Sequence, residues 1–123
     1  MCRFVILHHE TSLDVHWDVM LESELDLATW SIAPQCLSGA SFVCAAVRLS
    51  PHRKHYLDYE GEISQNRGVV CRIDVGTYEQ RSSEVFILYG TLFAGTLTIR
   101  DDQMIFASLG TASSNRLSFT KTD

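Results

Sequence analysis

The stretch Val15-His16-Trp17-Asp18-Val19-Met20-Leu21-Glu22 decides the fold. On a strand successive side chains point to opposite faces, so Trp17, Val19 and Leu21 share one face while His16, Asp18, Met20 and Glu22 share the other. A helix would need apolar residues at i, i+3, i+4 and i+7, and no part of the chain sustains that pattern over three turns. The segment is therefore predicted as a strand whose one face packs and whose other face presents polar groups.

Working outward, short apolar or alternating runs recur, rich in β-branched and aromatic residues. They predict strands over 3–7, 15–21, 27–33, 43–49, 68–73, 84–89, 95–100, 103–107 and 116–121. Asp101-Asp102 reads as a tight hairpin turn, and 34–41 and 110–115 read as loops. One short helical turn is expected to open at Ser50-Pro51, where Ser can cap and Pro suits the first helical position. The fold class is mainly β, a small closed or nearly closed β-barrel with at most one or two short helices, because closure removes exposed edges.

The 123 residues, 46% of them hydrophobic, suit one domain over 1–123 with its own core. Aromatic residues at 10% and a mean hydropathy of +0.02 exclude a disordered chain. A net charge of −5 excludes binding of long duplex DNA through a broad basic face, but leaves a small phosphate-end substrate allowed. Before the first histidines the N-terminus offers only Phe4-Val5-Ile6-Leu7, short of the ~7 to 15 apolar residues of a signal sequence and the ~20 of a membrane span. No membrane contact and a cytoplasmic location are expected. Cys2, Cys36, Cys44 and Cys71 form no C-x-x-C pair and are expected as buried free thiols.

All five histidines, His8, His9, His16, His52 and His55, lie in the first half. Residues two apart on a strand sit ~6.5 to 7 Å apart. Across that separation His16 and Asp18 can lean onto one divalent metal at ~2.0 to 2.2 Å each. His9 is the candidate third ligand, since it ends the first strand just before the strand carrying His16. A surface ion pair between His16 and Asp18 is the alternative. Downstream, His52 and Tyr56 are four apart and share a face if their turn is helical. An imidazole that protonates a leaving oxygen and a phenol that bonds a phosphoryl oxygen suit phosphoryl transfer; a solvated basic turn is the alternative. No P-loop, dinucleotide-binding, nucleophile-elbow or H-E-x-x-H motif occurs.

The ordered set His9, His16-Trp17-Asp18 with Leu21-Glu22, Thr29-Trp30, His52 with Tyr56-Leu57-Asp58-Tyr59-Glu60-Gly61, and Asp74-Val75-Gly76-Thr77-Tyr78-Glu79 resembles the 3'-phosphoesterase domain of bacterial DNA ligase D. The resemblance implies a small β-barrel that uses Mn²⁺, or another divalent metal such as Zn²⁺, to remove a 3'-phosphate or trim a 3'-terminal ribonucleoside in DNA repair. It implies metal ligands at His9, His16 and Asp18 and phosphate contacts at His52 and Tyr56, which also carry the catalytic roles. The implied partners are a DNA 3' end or primer-template and separate ligase or polymerase proteins. Two arginines of the family pattern are replaced here by Met20 and Cys44, with Arg48 and Arg53 as candidate phosphate-binding substitutes. There is one extra residue between His9 and His16, and the family's glycine-rich loop is shortened to Ile63-Ser64-Gln65-Asn66-Arg67-Gly68.

Three readings follow. The first is a metal-dependent phosphoesterase. The second is a catalytically impaired paralogue that binds metal and phosphate or a partner. The third treats His16, Asp18 and His52 as the facial triad of a non-haem iron oxygenase.

Overall fold

The computed structural model describes residues 2–109. Strands β1 (Cys2–Glu10), β2 (Val15–Glu22), β3 (Leu27–Ile32), β4 (Phe42–Ala45) and β5 (Val47–His52) lead to a 3₁₀ turn at Lys54–Leu57. They are followed by β6 (Gly61–Glu62), β7 (Val69–Gln80), β8 (Val85–Gly90), β9 (Ala94–Arg100) and β10 (Gln103–Ser108). The strands form one antiparallel sheet in the order β4-β10-β9-β8-β7-β1-β2-β3-β5, with β6 paired to β7 off this path. The two ends of that order, β4 and β5, are consecutive in the chain and separated only by Ala46. Ala46 is buried in the core, and its N–H donates to the Asp102 carbonyl at 2.8 Å. The sheet thus curls into a nearly closed barrel whose last junction is the polypeptide itself.

The alternation in β2 separates two apolar clusters. Trp17, Val19 and Leu21 join Phe4, Ile6 and Trp30 in the barrel interior. Met20 faces outward into a second cluster with Val5, Leu7, Leu27, Tyr56, Leu57 and Val70, roofed by the 3₁₀ turn. Both faces of β1 and β2 are therefore buried, which explains the unbroken apolar run Phe4-Val5-Ile6-Leu7. The face expected to present polar groups is buried at Asp18 and Met20, and its two ends, His16 and Glu22, are partly exposed. Burying Leu57 in this second cluster is worth about 1.5 to 3 kcal/mol.

Three local expectations are corrected. Ser50-Pro51 does not open a helix: both residues lie in β5, and the helical turn begins at Lys54. Between Leu27↔His52 and Thr29↔Leu49 the register takes one more residue on β5 than on β3. A proline without an N–H is tolerated at such a bulge. The strand expected over 43–49 is divided at Ala46, where the chain passes from one sheet edge to the other. The strand expected over 68–73 continues to Gln80. A bulge at Ile73, between Leu7↔Arg72 and Ile6↔Asp74, carries it past the polar Asp74, and the Glu60 carboxylate accepts the Arg72 N–H there at 2.6 Å.

The Asp101-Asp102 turn lies between β9 and β10 as expected, with Asp101 at φ 55°. The strand expected over 116–121 and the loop expected over 110–115 lie outside the described residues. The four cysteines are free, but the expectation that they are buried is wrong for Cys2, Cys36 and Cys71, which are exposed. Cys71 lies opposite His8 on β1, beyond the interior core residue Ile6. Cys44 is half-buried against the interior core, and burial pushes its thiol pKa up. Among the described residues no helix is long and apolar enough to cross a membrane.

Candidate metal and phosphate site

The β1–β2 register pairs His9 with His16 and Leu7 with Asp18. Directly opposed residues share a face, so the two imidazoles stand side by side with ring centroids 4.7 Å apart, and Asp18 lies two residues along on the same face. One ligand atom from each of His9, His16 and Asp18 lies within 4.8 Å of the others. Asp18 is only 1% exposed.

The hydrogen bonds of His9 decide what this cluster can hold. The Arg67 carbonyl can only accept, so its 2.7 Å contact with Nε2 requires that nitrogen to carry the proton. In the neutral ring Nδ1 then bears a lone pair, and it faces Oδ2 of Asp18 at 3.0 Å. Two lone pairs do not bond, so that contact calls for a second proton or a cation. The other carboxylate oxygen, Oδ1, lies 3.2 Å from Nε2 of His16. It nevertheless lacks a hydrogen-bond partner among the described residues, as does Nδ1 of His16. A buried carboxylate left in this state is costly by itself. Two imidazoles and a carboxylate are a suitable donor set for a divalent ion such as Mn²⁺ or Zn²⁺. A backbone carbonyl on the far nitrogen is the usual device that fixes the orientation of a ligating histidine. The residues present fit a divalent metal.

A cavity of about 350 Å³ opens beside His9 and is lined by Ser50, Pro51, His52, Arg53, Tyr56, Ile63 and Arg67. His52 and Tyr56 do meet, with ring centroids 5.7 Å apart, but one comes from the end of β5 and the other from the 3₁₀ turn rather than from one helix face. Nδ1 of His52 donates to the Ser50 carbonyl at 3.0 Å, which leaves Nε2 as the nitrogen available for chemistry. Arg53 lines the cavity, whereas Arg48 does not. Arg48 pairs with Trp30 on the opposite face of the sheet, its guanidinium 4.6 Å from the ring centroid. Met20 and Cys44 do not line the cavity either: Met20 is sealed in the outer cluster, and Cys44 packs against the interior. A larger recess of about 630 Å³, lined by Glu10, Thr11, Ser12 and Asn66 among others, contains no histidine.

Sequence reasoning missed Arg67. Loop 63–68 closes with the Ile63 N–H on the Gly68 carbonyl at 2.8 Å, and Gln65 and Asn66 both adopt positive φ, 63° and 59°. Gly68 follows at φ +100°, where a Cβ would run into the Glu10 carbonyl, so only glycine fits. This turn delivers the Arg67 carbonyl to His9 and its side chain to the cavity. The available signal was Asn66 and Gly68 in a short polar connection leading into β7.

The family model for the DNA ligase D 3'-phosphoesterase domain matches residues 7–116. The chain belongs to that family. Comparison with curated proteins gave no match. The family's 3'-phosphoesterase name fits a barrel that joins a metal-capable His9-His16-Asp18 cluster to a cavity carrying His52 and Tyr56. The proposed iron triad does not form: the third member of the His16-Asp18 cluster is His9. Within the 3'-phosphoesterase pattern Asp74 is structural, its carboxylate accepting the N–H groups of Thr91, Leu92 and Phe93 at 3.0, 3.1 and 2.8 Å.

Proposed function

We propose that the chain is a metal-dependent phosphoesterase acting on the 3' ends of nucleic acid, removing a 3'-phosphate or trimming a 3'-terminal ribonucleoside. The observation that carries this reading is the His9-His16-Asp18 cluster, with the buried Asp18 carboxylate between the two imidazoles, at the edge of the cavity that also holds His52 and Tyr56. His9, His16 and Asp18 would hold a divalent ion, which would supply Lewis-acid activation of a phosphoryl group. His52, with Nδ1 committed to Ser50, offers Nε2 to donate a proton to the departing oxygen or to bond a phosphoryl oxygen. Tyr56 is 9% exposed and braced by the rings of His52, His55 and Tyr59, so its hydroxyl can orient a phosphate at little conformational cost.

The test is an Mn²⁺-dependent assay on a short primer-template ending in a 3'-phosphate or a 3'-terminal ribonucleotide, run beside His16→Ala. Trimming by the wild type that is lost in the variant is the expected result. A second reading is favoured by one observation, the withdrawal of Met20 and Cys44 into the two cores where the family pattern has arginines. In that reading the site binds metal and a phosphate end without turnover. Mn²⁺ binding that depends on His16, with untouched ends, would select it.

A further inference from the structure

We propose that Arg53 and Arg67 together form a clamp for the terminal phosphate of the substrate, built from this chain's own loop 63–68 and the residue after β5. The proposal rests on the phosphate-end reading above and names the groups that supply its anion affinity.

Most described cations are engaged elsewhere. Arg3 pairs with Asp58, Lys54 with Glu22, Arg81 with Glu79 and Arg100 with Glu84. Arg48 stacks on Trp30. Arg53 and Arg67 have no carboxylate partner among the described residues, although the chain carries a net charge of −5 and acids are in excess. Both line the cavity beside His9 and His52. Both also line a smaller recess of about 220 Å³, where His55 and Tyr59 lie, so they stand where the two recesses meet. Glu62 borders only the smaller recess of the two. Arg72, whose guanidinium also makes no ion pair with a carboxylate among the described residues, lines neither recess.

Arg67 is held ready. Its Nε donates to the Ser64 carbonyl at 2.9 Å and one terminal nitrogen donates to the Ser64 hydroxyl at 3.1 Å. A guanidinium has five N–H donors, so three remain for an anion while the fork is already fixed in place. The same residue's carbonyl orients His9, so one short loop serves both the metal ligand and the phosphate. Tetrahedral phosphate dianions match such forks through charge-assisted, often bidentate bonds. The ligand class is therefore a terminal phosphate monoester, recognised by two guanidiniums that approach from positions unrelated to residues 20 and 44.

The experiment measures binding without metal, so that no turnover occurs. A fluorescein-labelled oligodeoxynucleotide ending in a 3'-phosphate, and its 3'-hydroxyl counterpart, are titrated in EDTA against the wild type, Arg53→Gln, Arg67→Gln, the double variant and Arg48→Gln. Each single variant should weaken binding of the phosphorylated end about tenfold, since a hydrogen bond to a charged group is lost. The double variant should lose the preference over the hydroxyl end, and Arg48→Gln should match the wild type. Arg67→Lys, which keeps the charge but not the fork, should recover part of the loss. A double variant with unchanged affinity and preference overturns the clamp, as does one whose Mn²⁺-dependent kcat/KM equals the wild type's. If the preference is lost in the double variant while the wild type shows no turnover with Mn²⁺, the clamp stands and the catalytic reading falls.

Discussion

Asp18 and Asp74 are both buried carboxylates on strands flanking β1, yet their surroundings differ completely. Asp74 accepts three backbone N–H groups from the connection between β8 and β9, all within 3.1 Å. Asp18 has an imidazole at each oxygen, and Oδ1 lacks a hydrogen bond. Backbone donors are fixed by the fold and neutralise a charge permanently. Imidazoles can change protonation or take a cation, so the charge of Asp18 is left for something exchangeable. The comparison teaches how to tell a structural carboxylate from a functional one at equal burial: by what compensates it.

The same substitution at both positions should therefore act in opposite ways. Asp74→Asn puts an amide donor where donors already converge and should destabilise the barrel by about 3 kcal/mol in urea unfolding, in the range for breaking a buried charged network. The comparison breaks if that variant is as stable as the wild type. Asp18→Asn, in EDTA at pH 8, should leave stability within about 1 kcal/mol or raise it, because it removes a poorly compensated charge. With Mn²⁺ at about a hundredfold over its Kd, the wild type should gain about 2.7 kcal/mol and Asp18→Asn nothing. Thermal melts with and without the ion read this directly.

Gly90→Ala sharpens the structural side. A Cβ there would press on the Asp74 carboxylate and on Phe4, and should cost about 1 to 3 kcal/mol without altering Mn²⁺ affinity. The smallest effect is at high pH. Burial, with contributions from Cys2 and Glu22, pushes the Tyr78 phenol from its ordinary 10 up to about 12, while its hydroxyl donates to the Glu22 carbonyl at 2.6 Å. The unfolded chain releases this proton first, so the stabilisation is complete below pH 10 and is lost as pH rises through about 12. Unfolding titrations of the wild type and His16→Ala should show the same alkaline decline, and Tyr78→Phe a flatter one.

Much of this was legible in the sequence, for definite reasons. The period-two pattern over Val15 to Glu22 is unambiguous, and once β2 is assigned it places His16 and Asp18 on one face. The short connection from His9 to Val15 then makes an antiparallel partner of β1. What stayed hidden depends on contacts distant in the chain. Nothing local in Ser50-Pro51 says that β3 will supply one residue fewer and turn a helix-like start into a bulge. Asp74 looks like any acid until the N–H groups of residues 91–93 converge on it. Arg67 becomes part of the site only because its loop folds back onto His9, 58 positions earlier.

The junction at Ala46 has a consequence of a different kind. Around most of its circumference the barrel is a hydrogen-bonded hoop, but between β4 and β5 the hoop is completed by a covalent link. A single scission at that alanine would turn the hoop into a ribbon with two free borders, β4 and β5. Each border would carry unpaired backbone groups able to recruit the strand of another molecule. One small buried residue thus keeps the two borders of the sheet beside each other.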